Sequence, residues 1–156
     1  MKVICVTGTP GTGKTTLAKK LAKLNKYEYL DVNKVIKSEN LKEGYDKKKK
    51  CSIIDIKKLN KALIKIIKSL DSKGLIIDSH LSHYLSPKYV DLCVITKCSD
   101  LKKLEKRLKK RDYIKSKIRE NLDCEIFDVC LNEANELKHQ VKIVNTSKRY
   151  KVGEIL

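Results

Sequence analysis

The stretch Gly8-Thr9-Pro10-Gly11-Thr12-Gly13-Lys14-Thr15 constrains this chain more than any other part of it. It fills every fixed position of G-x-x-x-x-G-K-[ST]. A short apolar run, residues 2–6 (KVICV), leads into it. From Lys14 to about Leu24 the apolar positions Leu17, Ala18, Leu21 and Leu24 recur at helical spacing. Strand, glycine-rich turn and helix in that order make an anion cradle: the glycines let main-chain N–H groups turn inward, and the helix adds its positive end. Gly11 and Gly13 shape such a cradle, Lys14 bridges β- and γ-phosphates, the Thr15 hydroxyl can ligate Mg²⁺, and Thr16 sits close to the α-phosphate.

Beyond the cradle, strand-like and helix-like segments alternate. Strands are expected at 28–32, 74–78, 90–96 and 141–145. Helices are expected at about 33–39, after a capping Asp55, after Ser99 or Asp100, and from about 116 to 137. Residues 40–54, with the lysine run 47–50, read as a loop, and residues 111–117 as a short lid. The alternation predicts a single α/β domain over 1–156 with a parallel sheet covered on both faces.

The charge balance, 36 Lys and Arg against 19 Asp and Glu, gives a formal +17. Such a chain is drawn to nucleotides, RNA or anionic surfaces, and a lysine-biased composition accounts for it equally. Six cysteines, at 5, 51, 93, 98, 124 and 130, have no C-x-x-C spacing, which argues against a zinc site. Neither a signal peptide nor a membrane span is legible, so reduced thiols and a cytoplasmic location are expected.

A phosphate cradle with Mg²⁺ needs an acid at the end of another buried strand, and Leu75-Ile76-Ile77-Asp78 offers one. His80 reads either as a group that touches phosphate or the metal's waters, or as a structural histidine. His83 and His139 read as surface residues. Arginine is scarce, yet Arg107 and Arg111 stand four apart before the expected lid. Guanidinium groups suit phosphate oxygens, and that spacing can place both on one face. Together these features point to transfer of the ATP γ-phosphate.

The quoted residues, with EGYD at 43–46, DSH at 78–80 and RDYIKSKIRENLDCEIF at 111–127, resemble the adenylate kinase isoenzyme six family over roughly 3–140. The resemblance implies a P-loop NTPase fold with a five-stranded parallel sheet in the order 2-3-1-4-5. It implies an acceptor-binding segment at 33–56, a lid at 110–120, and the reaction ATP plus AMP giving two ADP with Mg²⁺. Asp78 would then serve the metal with Thr15, and Arg111 would meet ATP from the lid. The loop Asn145 to Lys148 would lie by the adenine, and Lys37 and Tyr45 would serve the acceptor. Two positions depart from the family pattern: Lys37 stands where an arginine is usual, and Asp112 where the lid usually has glycine.

The same resemblance implies a second role, an ATPase in small ribosomal subunit maturation with a platform ribosomal protein and pre-ribosomal RNA as partners. A small-metabolite kinase of the shikimate or gluconate type is a third reading.

Overall fold

The first strand, β1 (Lys2–Thr7), alternates its side chains between two cores. Val3 and Cys5 point to one face and Ile4 and Val6 to the other, and all four are buried. The computed structural model describes residues 1–48 and 51–156. After β1 come α1 (Lys14–Asn25), β2 (Glu28–Asp31), α2 (Val32–Ser38), β3 (Lys42–Asp46), β4 (Cys51–Ile54) and α3 (Ile56–Ser69). Then follow β5 (Gly74–Asp78), β6 (Leu92–Lys97), α4 (Leu101–Lys109), α5 (Lys115–Ile126), α6 (Val129–Glu136) and β7 (Val141–Asn145).

Five strands form one parallel sheet in the order β2-β5-β1-β6-β7. Counting only these five along the chain, the order is 2-3-1-4-5, as the resemblance implies. One face carries α1, whose Leu17, Ala18 and Leu21 pack on Ile4, Val6, Ile76, Val94 and Val144. The other face carries α2, α3 and α6, with Val35, Leu59, Leu63 and Ala134 against Cys5, Leu75, Ile77 and Cys93. Each fully buried Leu or Ile here contributes about 1.5–3 kcal/mol.

Asp55 and Asp100 start α3 and α4 as expected. Each carboxylate accepts a main-chain N–H from the first turn, from Lys57 and Lys58 and from Lys103 respectively. Below the cradle, Leu104 and Leu108 of α4 are buried so close to Gly11 that a Cβ there would lie 3.0 Å from Leu104 Cδ1.

Three expectations are corrected. Residues 40–54 are not simply a loop: β3 and β4 pair antiparallel, with Asp46 opposite Cys51. Lys49 and Lys50 of the lysine run lie outside the described residues. The helix expected over 116–137 is two helices, broken where Asp128 takes a left-handed φ of 52°. The Asp128 carboxylate pairs there with the Lys97 ammonium at the end of β6, which holds the break against the sheet. Finally, His83 and His139 are buried, at 1% and 7% exposure. His139 Nε2 lies 2.7 Å from the His83 carbonyl, so a histidine read as polar surface is a packed, hydrogen-bonded joint between α6 and the loop after β5.

Candidate active site

The cradle's shape comes from backbone conformations that only glycine adopts freely. Gly8, Gly11 and Gly13 have φ of 144°, 86° and 83°. At Gly8 an added Cβ would stand 2.5 Å from both the carbonyl and the hydroxyl oxygen of Thr96. Gly8→Ala is therefore expected to destabilise the fold by about 2–4 kcal/mol, through clash and strained φ together. Urea unfolding reads it; a loss under about 0.5 kcal/mol would contradict this account.

Hydroxyls stitch the loop to the sheet. Thr12 Oγ1 donates to the Thr9 carbonyl at 2.6 Å and lies 2.8 Å from Thr96 Oγ1, which donates to the Thr7 carbonyl at 3.1 Å. Gly13 caps α1 without a side-chain acceptor, so the first-turn N–H groups of the helix are not taken up by a capping side chain.

Lys14 Nζ donates to the Thr9 carbonyl at 3.0 Å, folded back over the loop. Burial lowers its pKa to about 8, helped by the Arg111 charge and opposed by Cys130, Asp78 and Glu125. It remains a cation at pH 7.

A cleft of about 650 Å³ opens over the loop. Its walls include Gly11, Gly13, Lys14, Thr15, Thr16, Asp78, His80 and Arg111. These eight sequence-derived candidates converge in one place. Three do not: Lys37 is exposed at the end of α2, Tyr45 is 58% exposed on the hairpin, and Lys148 is exposed after β7. None of the three is among the residues lining the cleft. Arg107 and Arg111 do not share a helix face, because α4 ends at Lys109 and Arg111 lies in the turn beyond. Arg107 instead braces the loop from outside, its Nη1 donating to the Gly11 carbonyl at 3.2 Å and to Thr146 Oγ1 at 3.4 Å. Thr146, in the segment after β7, donates to the Thr12 carbonyl at 2.7 Å, so that segment abuts the cradle.

Asp78 closes β5 beside β1 and β2, opposite Val6 and Asp31. It is 5% exposed, and its Oδ2 accepts the Tyr29 hydroxyl at 2.8 Å. Burial and this carboxylate push the Tyr29 pKa well up, while a hydrogen bond with the Thr15 side chain opposes the shift. Thr15, Tyr29 and Asp78 thus form one cluster of oxygens at the mouth of the cradle. Hydroxyl and carboxylate oxygens are the donors Mg²⁺ takes, with water and phosphate completing its shell. These residues fit such an ion, and Thr15 and Asp78 could hold it.

His80 is solvent-exposed at the cleft, yet the surrounding walls and the Lys14 charge both disfavour its cation, and its pKa lies below the ordinary histidine value. At pH 7 it is a neutral hydrogen-bonding ring and adds no charge.

Several residues in or around the cleft escape sequence reasoning. Tyr29 is an ordinary strand position until β2 pairs with β5. Lys117 is one lysine among many, but its ammonium sits 4.0 Å over the Tyr113 ring and both line the cleft. No helical spacing announces the pair beforehand, because Tyr113 precedes the first residue of α5. Glu125, 7% exposed, hydrogen-bonds the Thr9 side chain and the Cys98 main chain, tying α5 to the loop. Burial raises its pKa against those two bonds. Glu133 enters the cleft from α6. Asp112 has a left-handed φ of 56°, which explains why a glycine suits that position.

This fold and this site define a P-loop phosphotransferase. A family model described as an AAA domain matches residues 4–128. The chain is 36% identical over 141 residues to an adenylate kinase isoenzyme 6 homolog of Dictyostelium discoideum, covering 90% of this chain and 78% of that one. It is 40% identical over 133 residues to the homolog of Schizosaccharomyces pombe, covering 85% and 74%. The chain belongs to the adenylate kinase isoenzyme 6 family. Solved structures share its fold at low identity. A shikimate kinase from Acinetobacter baumannii, in complex with shikimate, matches with TM-score 0.63 and 13% identity over 93% of this chain and 84% of that one. A deoxyadenosine kinase from M. mycoides with bound dATP matches with TM-score 0.58 and 16% identity over 96% and 93%.

Proposed function

We propose that this chain transfers the γ-phosphate of ATP to a nucleoside monophosphate, AMP before others, giving two ADP. One observation carries the reading: a single cleft of about 650 Å³ is lined both by Gly11, Gly13, Lys14 and Thr16 of the cradle and by Asp31, Asn33, Leu81, Tyr84 and Glu133, from the ends of β2 and β5 and from α6, which leaves room for a second nucleotide beside a triphosphate. Lys14, Arg111 and Lys117 put positive charge on the same cleft.

Phosphoryl transfer between phosphates needs no general base, because the attacking oxygen is already ionised. The chain's part is to hold two anions in line and to neutralise charge. The loop amides and Lys14 bind the donor's phosphates. Arg111, between α4 and α5, and Lys117, in the first turn of α5, would meet the moving phosphoryl group. Segment 110–120 serves as the lid, its second half already helical within α5, and residues 33–56 serve as the acceptor-binding segment. On lid closure Lys37 and Tyr45 would approach the acceptor, and the Asn145–Lys148 loop would flank the adenine. Mg²⁺, held by Thr15 and Asp78, would neutralise the β- and γ-phosphate oxygens.

The decisive measurement follows ADP from ATP and Mg²⁺ with and without AMP. Two ADP per ATP consumed, and none without AMP, is the expected result. Silence with every monophosphate would reject the proposal and point to a small-metabolite acceptor. In the same assay Arg111→Ala should lower kcat by about 10²–10³ and raise the KM for ATP much less, since its guanidinium acts on the charge that develops during transfer. An unchanged kcat would remove Arg111 from the site.

A second reading, an ATPase that assists small ribosomal subunit maturation with a platform ribosomal protein and pre-ribosomal RNA, draws on the surface. Ile126 and Phe127 are 47% and 69% exposed at the end of α5, beside the +17 charge of the chain. ADP release without an acceptor, accelerated by such a protein or RNA, would favour it.

A further inference from the structure

Tyr29 stands between the two groups that could hold Mg²⁺. In the sheet it lies opposite Ile76, so its ring shares a face with Ile76 and, two residues further along β5, with Asp78. That face is the one covered by α1, and the ring packs against the core that α1 makes with the sheet. The Lys19 ammonium, one turn after Thr15 on α1, sits 5.7 Å over the ring. Sheet and helix together fix the course of the side chain. It reaches diagonally across to β5, a span that suits an aromatic residue, and brings its hydroxyl to the mouth of the cradle.

That hydroxyl has one proton and two lone pairs. The proton goes to Asp78 Oδ2 at 2.8 Å. The Thr15 side chain is hydrogen-bonded to the same hydroxyl. Because the phenol's proton is committed to Asp78, Thr15 is the donor in that second bond. The Thr15 oxygen therefore turns its proton towards Tyr29 and its lone pairs elsewhere. Asp78 in turn keeps Oδ1 for the cleft, since among the described residues no other hydrogen bond reaches that carboxylate.

We propose that Tyr29 is a positioning residue of the metal site: its hydroxyl, bridging Thr15 and Asp78, turns the free lone pairs of both towards the place Mg²⁺ would take. Tyr29 acts through these two oxygens and not as a ligand, its own proton being spent on Asp78. Phenylalanine keeps the packing of the ring and releases both groups. The Thr15 proton is then free to swing towards the cation, and the carboxylate to rotate about χ2. Loss of an outer partner of this kind costs about 10–100-fold in metal affinity or activity.

The inference rests on the ATP and Mg²⁺ part of the proposed function, and its test keeps the two apart. ATP affinity is measured by calorimetry with a chelator and with saturating Mg²⁺, for the wild type and for Tyr29→Phe. The wild type should bind ATP more tightly with the metal. In the variant, affinity without the metal should move by less than about twofold, while most of the gain from Mg²⁺ disappears. Turnover should split the same way: half-saturation by Mg²⁺ rises about tenfold, and excess Mg²⁺ returns kcat to within about threefold of the wild type. A side chain that merely packed would weaken both affinities together and would not answer to the metal. 4-Aminophenylalanine incorporated at position 29 keeps a donor for Asp78 and should recover most of the gain. The inference is overturned if the two affinities fall in parallel, if half-saturation by Mg²⁺ does not move, or if the folded amino analogue behaves as phenylalanine does. A wild type that binds ATP equally well with and without Mg²⁺ removes the metal site, and this inference with it, but leaves the phosphate cradle. A wild type that binds no ATP removes the kinase reading itself.

Discussion

Lys14→Met should abolish phosphoryl transfer, lowering kcat at least about 10³-fold, while the protein without nucleotide becomes more stable. The two effects have one origin. The ammonium lies half-buried over the loop with one neutral partner, the Thr9 carbonyl, and its pKa has fallen to about 8. A cation held there with no ion-pair partner among the described residues is a standing cost, which Asp78 and Glu125 offset only in part, and a triphosphate relieves it. Methionine keeps the length of the side chain and removes the charge. Melting of the nucleotide-free variant should rise by several degrees, from about 1–3 kcal/mol of relief.

The sign of the pH dependence follows. The group titrates near the ordinary lysine value of 10.5 when unfolded and at about 8 when folded. Between those values the unfolded chain binds more protons, so stability rises with pH from about 8 to 10.5, and below 8 the cost is fully present. The variant lacks this slope. Activity runs the other way: kcat/KM for ATP in the wild type should decline above about pH 8, as the free protein loses the charge that greets the phosphates. Near-normal turnover in Lys14→Met would reject the role given to this ammonium, as would a lower melting temperature.

The cradle and the sheet are legible in the sequence because their signals are local. Glycines at fixed offsets, an apolar run ahead of them and a 3.6-residue period behind depend on neighbours a few residues away. The same holds for the acid closing β5 and for the caps Asp55 and Asp100. What is not legible depends on partners far along the chain. Asp128 breaks a continuous helical pattern because Lys97, 31 residues earlier, holds its carboxylate. His83 is buried because Thr7 and Glu133, 76 and 50 residues away, satisfy both ring nitrogens. No periodicity announces such pairs. The arginine spacing misleads for a further reason: a four-residue interval places side chains on one face only while the helix continues, and α4 stops between them. The result separates the two roles, Arg107 bracing the loop and Arg111 entering the cleft. The hairpin β3–β4 escapes notice because both strands are short and β3 is charged and mostly exposed, without the apolar alternation that marks a half-buried strand.

Asp78→Asn isolates the other half of the site's electrostatics and should cost about 10²–10³ in kcat. Asparagine retains an oxygen that can accept the Tyr29 hydroxyl, so the join between β2 and β5 survives, and the melting temperature should move by only a few degrees. Its second terminal atom, however, becomes an NH₂ donor. A donor cannot serve a cation or accept from its water shell, and the charge that offsets the dication is gone. The deficit should therefore be read in the metal titration before anything else. Half-saturation by Mg²⁺ should shift upward at least tenfold, excess Mg²⁺ should recover part of the lost rate, and affinity for the nucleotide base should be untouched. A chelator should silence the wild type under the same conditions. If the variant instead titrates with Mg²⁺ as the wild type does, Asp78 acts only through Tyr29 to join the strands. The cation must then be held by Thr15 and the phosphates alone.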